Sequence, residues 1–230
     1  MHVPDGFLDA PTSVATGVVA AAAVGVALRG ARRELDDRTA PLAGLVATFV
    51  FAAQMLNFPV GAGTSGHLMG GALAAVLVGP WTGVLAVSVV LIVQSLLFAD
   101  GGVTALGTNI VLLALVGVGA GWVVFRGLQR VLPKRVGLVP ALAAVAALVS
   151  VPAAALVFVG LYAVGGTAPV PLDTLTTAML GWHTLIGLGE ALITGLVVAS
   201  VVAVRPDLVH GAAPVLRARE LVIRTPEVAR

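Results

Sequence analysis

The first two residues of the chain, Met1 and His2, form a pair that can chelate a metal ion. The terminal amine, the main-chain nitrogen of His2 and its Nδ1 atom offer three nitrogens in fused five- and six-membered rings. Such a chelate needs a deprotonated amide and imposes a square plane, so it favours late ions such as Cu(II) and Ni(II). Removal of the initiator generally needs a small second residue, and because His2 is large we expect Met1 to keep its amine.

His67 is the candidate for the fourth nitrogen of this site. The chain contains no Cys, so any metal site must use nitrogen or oxygen ligands. The segment around His67, residues 61–71, is rich in small residues, and we expect the N-terminal peptide to pack closely against it. Taken singly, His2 can be an ordinary second residue and His67 a packing or capping histidine.

The composition places these residues in a membrane protein. The chain is 59% hydrophobic and 10% charged, with a mean hydropathy of +1.07, whereas a soluble domain has about 25% charged residues. The pI near 9.9 does not indicate nucleic acid as a partner, because the basic residues lie in short connecting segments and form no basic face.

Uncharged apolar runs predict an all-α, polytopic transmembrane bundle. We expect about seven spans, at residues 13–29, 40–56, 66–79, 81–98, 103–125, 137–163 and 182–204. The third run is short and Gly79-Pro80 separates it from the fourth, so six spans are possible.

The positive charges predict the orientation of these spans. All 13 Lys and Arg residues lie within residues 29–38, 126–135 and 205–230, which seven spans place on one side of the membrane, the cytoplasm. The N-terminus is then outside, and no basic segment or convincing cleavage site indicates its removal. Residues 1–205 form the predicted transmembrane metal-capturing domain, and residues 206–230 a solvated cytoplasmic tail.

The opposite side carries acidic residues without Lys or Arg, which makes it attractive to cations. These residues are Asp5, Asp9, Asp100 and Asp173. His2, His67 and His183 lie on the same predicted side, and only His210 does not. Ionisable groups at membrane depth are usually functional, which favours a metal site over three unrelated histidines.

Three segments carry a resemblance to a known family: residues 1–8 (Met-His-Val-Pro-Asp-Gly-Phe-Leu), residues 63–67 (Gly-Thr-Ser-Gly-His) with Gly70-Gly71, and residues 98–102 (Phe-Ala-Asp-Gly-Gly). Over roughly residues 1–205 the chain resembles the CbiM/NikM family, the substrate-binding (S) components of energy-coupling factor (ECF) transporters for cobalt and nickel. The resemblance implies that Met1, His2 and His67 hold the metal. Nickel or cobalt would be the transported substrate, with no bound organic cofactor, and the sequence does not choose between them.

The resemblance also implies partners in the cell (plasma) membrane. They are a transmembrane coupling (T) subunit, two cytoplasmic ABC ATPases and, in many systems, a small accessory membrane protein. The chain has no Walker A pattern, so energy for transport would come from these partners and the chain itself would not be an enzyme.

Metal-bound imidazoles usually donate their second N–H to a partner, so polar residues in or near the spans are candidates to orient His67 or the N-terminal loop. These candidates are Gln54, Asn57, Thr64, Ser65, Gln94, Asn109, His183 and Glu190. His183 and Glu190 lie about two turns apart on one helix face, too far for a shared site in a straight helix. Alternatively, Glu190 is a buried carboxyl satisfied by a hydroxyl such as that of Thr194.

Two other functions compete with metal capture. Gly63-Thr64-Ser65-Gly66 matches the Gly-x-Ser-Gly of rhomboid-like intramembrane serine proteases, with Ser65 as nucleophile and His183 as base. This alternative lacks the accompanying His-x-x-x-Asn and leaves Met1 and His2 unexplained. A non-binding scaffold subunit is the other, and it predicts that blocking the N-terminus is harmless.

Overall fold

The computed structural model describes residues 2–37, 39–61 and 64–223, and these residues are mainly helical. Its larger elements are α1 (Ala10–Ala31), α2 (Ala40–Gln54), the strands β1 (Phe58–Gly61) and β2 (Thr64–Gly66), α3 (Gly71–Val78), α4 (Pro80–Leu97), α5 (Leu106–Asn109), α6 (Val118–Val131), α7 (Val139–Gly165), α8 (Leu172–Val204) and α9 (Ala213–Ile223). A π-helical stretch, Ile110–Gly117, joins α5 to α6. The two strands form an antiparallel hairpin.

Five of the described segments are long and apolar enough to cross a membrane. They are Ala10–Ala31, Pro80–Leu97, Leu106–Val131, Val136–Gly165 and Leu172–Val204. Helix α2 is apolar but has only 15 residues. Apolar composition therefore identified the helices, but not all of the predicted spans are long enough to cross a membrane.

The third predicted span, 66–79, is wrong in extent. Helix α3 has eight residues and is about 12 Å long, well short of the ~30 Å hydrocarbon core. It lies inside the bundle, in contact with α2, α4, α6, α7 and α8, and all of its residues are buried. Its apolar character reflects burial within protein, which a hydropathy pattern does not distinguish from contact with lipid.

Helix α8 begins ten residues earlier than the predicted start at 182. Its first turns contain Thr176 and Thr177, whose hydroxyls donate to the carbonyls of Leu172 and Asp173, 2.6 and 2.9 Å away. Because these polar groups are satisfied within the helix, they do not end it.

Small residues allow α3 to sit at the centre. A Cβ at Gly71 would lie 2.7 Å from the main-chain carbon of Gly117, and one at Gly121 would lie 2.7 Å from the Cβ of Ala72. Helix α3 thus touches the Ile110–Gly117 stretch and α6 almost backbone to backbone.

The connections of the bundle gather at two ends. We call the end with residues 2–9, 55–61, 64–70, 98–105 and 166–171 the histidine end. The end with residues 32–37, 132–138 and 205–217 is the arginine end. The short helix α3 runs from the histidine end toward Gly79, where the chain turns with φ +97° and enters α4 at Pro80.

The prediction of a solvated tail is wrong for the first residues after α8. Val209 and Ala212 are fully buried and Val215 is nearly so. The Gln129 side chain donates to the Gly211 carbonyl at 2.7 Å, and Gly211 packs against Phe125. This segment covers the arginine end of α6 because its apolar residues find a partner surface there.

Candidate metal-binding site

The N-terminal segment, residues 2–9, is held in the mouth of the histidine end by main-chain hydrogen bonds. Val3 donates its N–H to Oδ1 of Asn109 at 2.7 Å, and its carbonyl accepts from Nδ2 of Asn109 at 3.1 Å. The N–H of Gly102 donates to the same carbonyl at 3.0 Å. Asn109 therefore orients the N-terminal loop, which is one of the roles considered for it from the sequence.

Further contacts hold this segment on its other side. Leu8 and Gly166 form an antiparallel bridge, and the N–H of Asp9 donates to the Gly165 carbonyl at 2.7 Å. The ring of Phe7 lies 5.8 Å from that of Phe158, centroid to centroid. The Asp9 carboxylate also accepts from Thr12 N–H at 2.9 Å and caps α1. Residues 2–9 are thus fixed at both ends.

The N-terminal segment also packs closely on a glycine of the 98–102 turn. A Cβ at Gly102 would clash with the main-chain nitrogen of Asp5. Of the glycines in residues 61–71, Gly70 faces Val50 and Gly71 faces Gly117. Contact with the His67 segment is made by the ring of His2.

His2 is buried, with 7% of its surface exposed. Its Nδ1 lies 2.9 Å from Oδ1 of Asp100, and Oδ2 of Asp100 accepts from Nδ2 of Asn57 at 2.9 Å. Burial lowers the pKa of His2 below 6.5, despite the opposing effect of the Asp100 hydrogen bond. Burial raises the pKa of Asp100, but the hydrogen bonds from His2 and Asn57 bring it below its ordinary value.

The neutral His2 ring therefore donates its Nδ1–H to an ionised Asp100. Its Nε2 then carries a lone pair, and this atom is buried without a hydrogen-bond partner in the described part of the chain. Sequence reasoning placed Asp100 only in the acidic mouth and missed its contact with His2. His2 and Asp100 lie 98 positions apart, and the 98–102 motif was the only feature of the sequence that pointed to Asp100.

His67 is fully buried, and its ring centroid lies 4.3 Å from that of His2. Its Nδ1 is 2.8 Å from the Leu68 carbonyl oxygen. Because a carbonyl only accepts, Nδ1 carries the hydrogen and Nε2 carries the lone pair. Among the residues described, nothing hydrogen-bonds to this Nε2 either.

Glu190 and Gln54 hold the loop that follows His67. The two carboxylate oxygens of Glu190 accept from the N–H groups of Met69 and Gly70, at 2.6 and 2.9 Å. Nε2 of Gln54 donates to the Met69 carbonyl at 2.8 Å. Glu190 thereby supplies the acceptors for N–H groups at the start of α3, which lacks a side-chain cap of its own.

The alternative prediction, that the Thr194 hydroxyl satisfies Glu190, is wrong. The Thr194 hydroxyl is buried without a hydrogen-bond partner in the described residues. The main-chain N–H groups of Met69 and Gly70 lie in a buried segment, and the carboxylate of Glu190 accepts from both.

The other candidate residues lie around this loop. Gln94 is buried, with Nε2 4.0 Å from the Met55 sulfur. Ser65 is on β2, opposite Pro59. Thr64 pairs through its main chain with Gly61, and its side chain lies outside the description. Met1 also lies outside the described residues, so its part in the chelate stays a prediction.

The Ser65–His183 pair of the protease alternative does not form. Nδ1 of His183 lies 2.8 Å from the Met179 carbonyl oxygen, and its Nε2 has no hydrogen-bond partner among the residues that the structure describes. A general base must reach its nucleophile, and neither ring nitrogen of His183 does so.

The side chains of this end do not make a complete metal site by themselves. In the described part of the chain, no group of three or more His, Asp or Glu side chains is arranged to hold an ion. An ion between His2 and His67 would need further donors. In a sequence that begins Met1-His2, main-chain nitrogens are the candidates for these donors.

Two buried imidazoles thus lie within a bundle of apolar helices, and similar proteins indicate the class to which this bundle belongs. Residues 2–208 match the family model described as the cobalt uptake substrate-specific transmembrane region, CbiM. A protein of Haloquadratum walsbyi named for metal transport is 40% identical over 209 residues, which are 91% of this chain and 93% of the relative. The fused nickel transport protein NikMN of Rhodobacter capsulatus is 36% identical, over 90% of this chain and 63% of its own.

A solved structure described as a transition metal transporter superposes on this chain with a TM-score of 0.81 and 29% identity, covering 97% of this chain and 100% of the other. The chain therefore belongs to the CbiM family of transmembrane cobalt and nickel transport proteins, and it is a multi-pass membrane protein.

Proposed function

We propose that this chain captures Ni²⁺ or Co²⁺ outside the cell as the substrate-binding component of an ECF transporter in the cell membrane. The observation that carries the proposal is the pair of buried imidazoles, His2 and His67, with ring centroids 4.3 Å apart. Nε2 of His67 has no hydrogen-bond partner among the described residues. Buried polar atoms are usually paired, and a ligand ion would supply the missing partner.

The Met1 amine, the main-chain nitrogen of His2, the Nδ1 of His2 and the Nε2 of His67 would make up the square of donors. Nδ1 of His2 currently faces Asp100, so the ring must turn when the ion binds. A half-turn about Cβ–Cγ exchanges Nδ1 with Cδ2 and brings Nε2 to the side of Asp100. Nδ1 would lose its hydrogen to water as it binds the ion, and Nε2 would take one up from water, so that the ring stays neutral. Asp100 would then hold the second N–H of a metal-bound imidazole, a common arrangement.

The orientation of the chain supports capture from outside. All 13 Lys and Arg residues lie within residues 29–38, 126–135 and 205–230. The described parts of these segments form or adjoin the arginine end, which favours a cytoplasmic location for that end. The histidine end would then face outward with its acidic residues. A T subunit and two ABC ATPases would drive release to the cytoplasm, with a small accessory membrane protein as a further partner.

Calorimetric titration of the purified protein with Ni²⁺ and Co²⁺ tests the proposal and ranks the metals. His2→Ala and His67→Ala should each weaken binding at least about 100-fold, because each removes donors from one chelate. His210→Ala is the control, since this histidine lies at the arginine end beside Trp122. Wild-type affinity in both site variants would refute metal capture by these residues.

A further inference from the structure

His183 contains a third unpaired imidazole nitrogen at the histidine end of the membrane bundle. The residue is fully buried in α8. Its Nδ1 donates to the Met179 carbonyl at 2.8 Å, which leaves the lone pair on Nε2. This Nε2 has no hydrogen-bond partner among the described residues, as is also true of Nε2 in His67.

His183 lies on α8, the helix that holds the loop after His67. Glu190, seven residues further along α8, binds the N–H groups of Met69 and Gly70. Helix α8 also contacts both strands of the hairpin that leads into His67.

His183 does not orient His67 through a hydrogen bond. The Nδ1 of His67 is already bound to the Leu68 carbonyl, and its Nε2 has no partner in the described residues. The Met179 carbonyl satisfies only one of the two ring nitrogens of His183. The free lone pair is the feature that needs an explanation, and a metal ion is the ligand that a neutral imidazole binds through it.

We propose that His183 is a further metal ligand, which binds the ion through Nε2 as it leaves the N-terminal chelate. This inference rests on the proposed function. A square-planar ion exchanges ligands when a fifth donor attacks from above the plane. The Nε2 lone pair of His183 forms the new bond to the ion, one bond to an N-terminal nitrogen breaks, and that nitrogen takes up a proton from water. The oxidation state of the ion does not change.

A ligand that acts only as the ion leaves should affect transport but not equilibrium binding. Two measurements on His183→Ala and His183→Gln test this role. Equilibrium titration of the purified variants with Ni²⁺ should give dissociation constants within about threefold of wild type. Uptake of radioactive nickel by cells that carry the variant in their own transporter should fall about tenfold. Glutamine keeps much of the side-chain length but offers no imidazole lone pair, so it should behave like alanine.

The midpoint of thermal unfolding distinguishes this role from a structural one. We expect both variants to unfold within a few degrees of wild type. Uptake within twofold of wild type would overturn the proposal, and so would loss of Ni²⁺ binding together with a large drop in the midpoint. Absence of Ni²⁺ binding to the wild-type protein would instead refute the proposed function itself.

Discussion

The two ends of the bundle each use a carboxylate to cap a helix of the α3–α4 pair, but in different surroundings. At the histidine end, Glu190 is 2% exposed and accepts from Met69 and Gly70. At the arginine end, the partly exposed Glu34 accepts from Trp81 and Thr82 at 3.3 and 2.7 Å. Water can replace Glu34 but not Glu190, so the same contact matters more at the histidine end.

Replacing Glu190 with Gln should have the largest effect. The amide keeps one acceptor oxygen and turns an NH₂ group toward a main-chain N–H, which leaves a buried donor unpaired at a cost of about 1–3 kcal/mol. Because that loop carries His67, we expect a loss of about 100-fold in Ni²⁺ affinity, measured by calorimetry, and a lower unfolding midpoint. Glu34→Gln is the matched control and should leave the Ni²⁺ affinity within about threefold of wild type. Equal effects of the two substitutions would contradict the difference between the ends.

Replacing Gly102 with Ala tests whether the close approach of the N-terminal segment matters. The added Cβ would clash with the main chain of Asp5, and overpacking of this kind costs about 2 kcal/mol, or about 30-fold in affinity. Gly119→Ala is the control, because its Cβ would meet no atom within 4 Å. Unchanged Ni²⁺ titration curves for Gly102→Ala would show that the segment is not held as tightly as its contacts indicate.

Replacing Asp100 with Asn should have a smaller effect. The amide can still accept a hydrogen bond from His2 but loses the charge that holds the ring, and loss of such a partner typically costs about tenfold in metal affinity. Asp173→Asn, an exposed change at the start of α8, is the control for loss of one negative charge. If both variants lose affinity equally, Asp100 acts only through the general attraction of cations and not through His2.

Much of the site could be predicted from the sequence because its chemistry is local. Met1 and His2 are adjacent, so the nitrogens of the proposed chelate follow from the covalent chain alone. His67 was identified by residue type and by its neighbours, and Asn109 by its polarity in an apolar span. Their positions in the bundle could not be predicted, and neither could the 2.9 Å contact of His2 with Asp100.

The sequence by itself determined that this protein is a multi-pass helical membrane protein, because hydropathy and charge depend only on composition and order. Tertiary structure decided the length of α3, the choice of Met69 and Gly70 as the partners of Glu190, and the packing of Val209 on the arginine end. These outcomes depend on contacts between distant parts of the chain, as between Glu190 and Met69, 121 residues apart. A hydropathy pattern cannot say whether an apolar residue faces lipid or protein, so only the fold could assign these contacts.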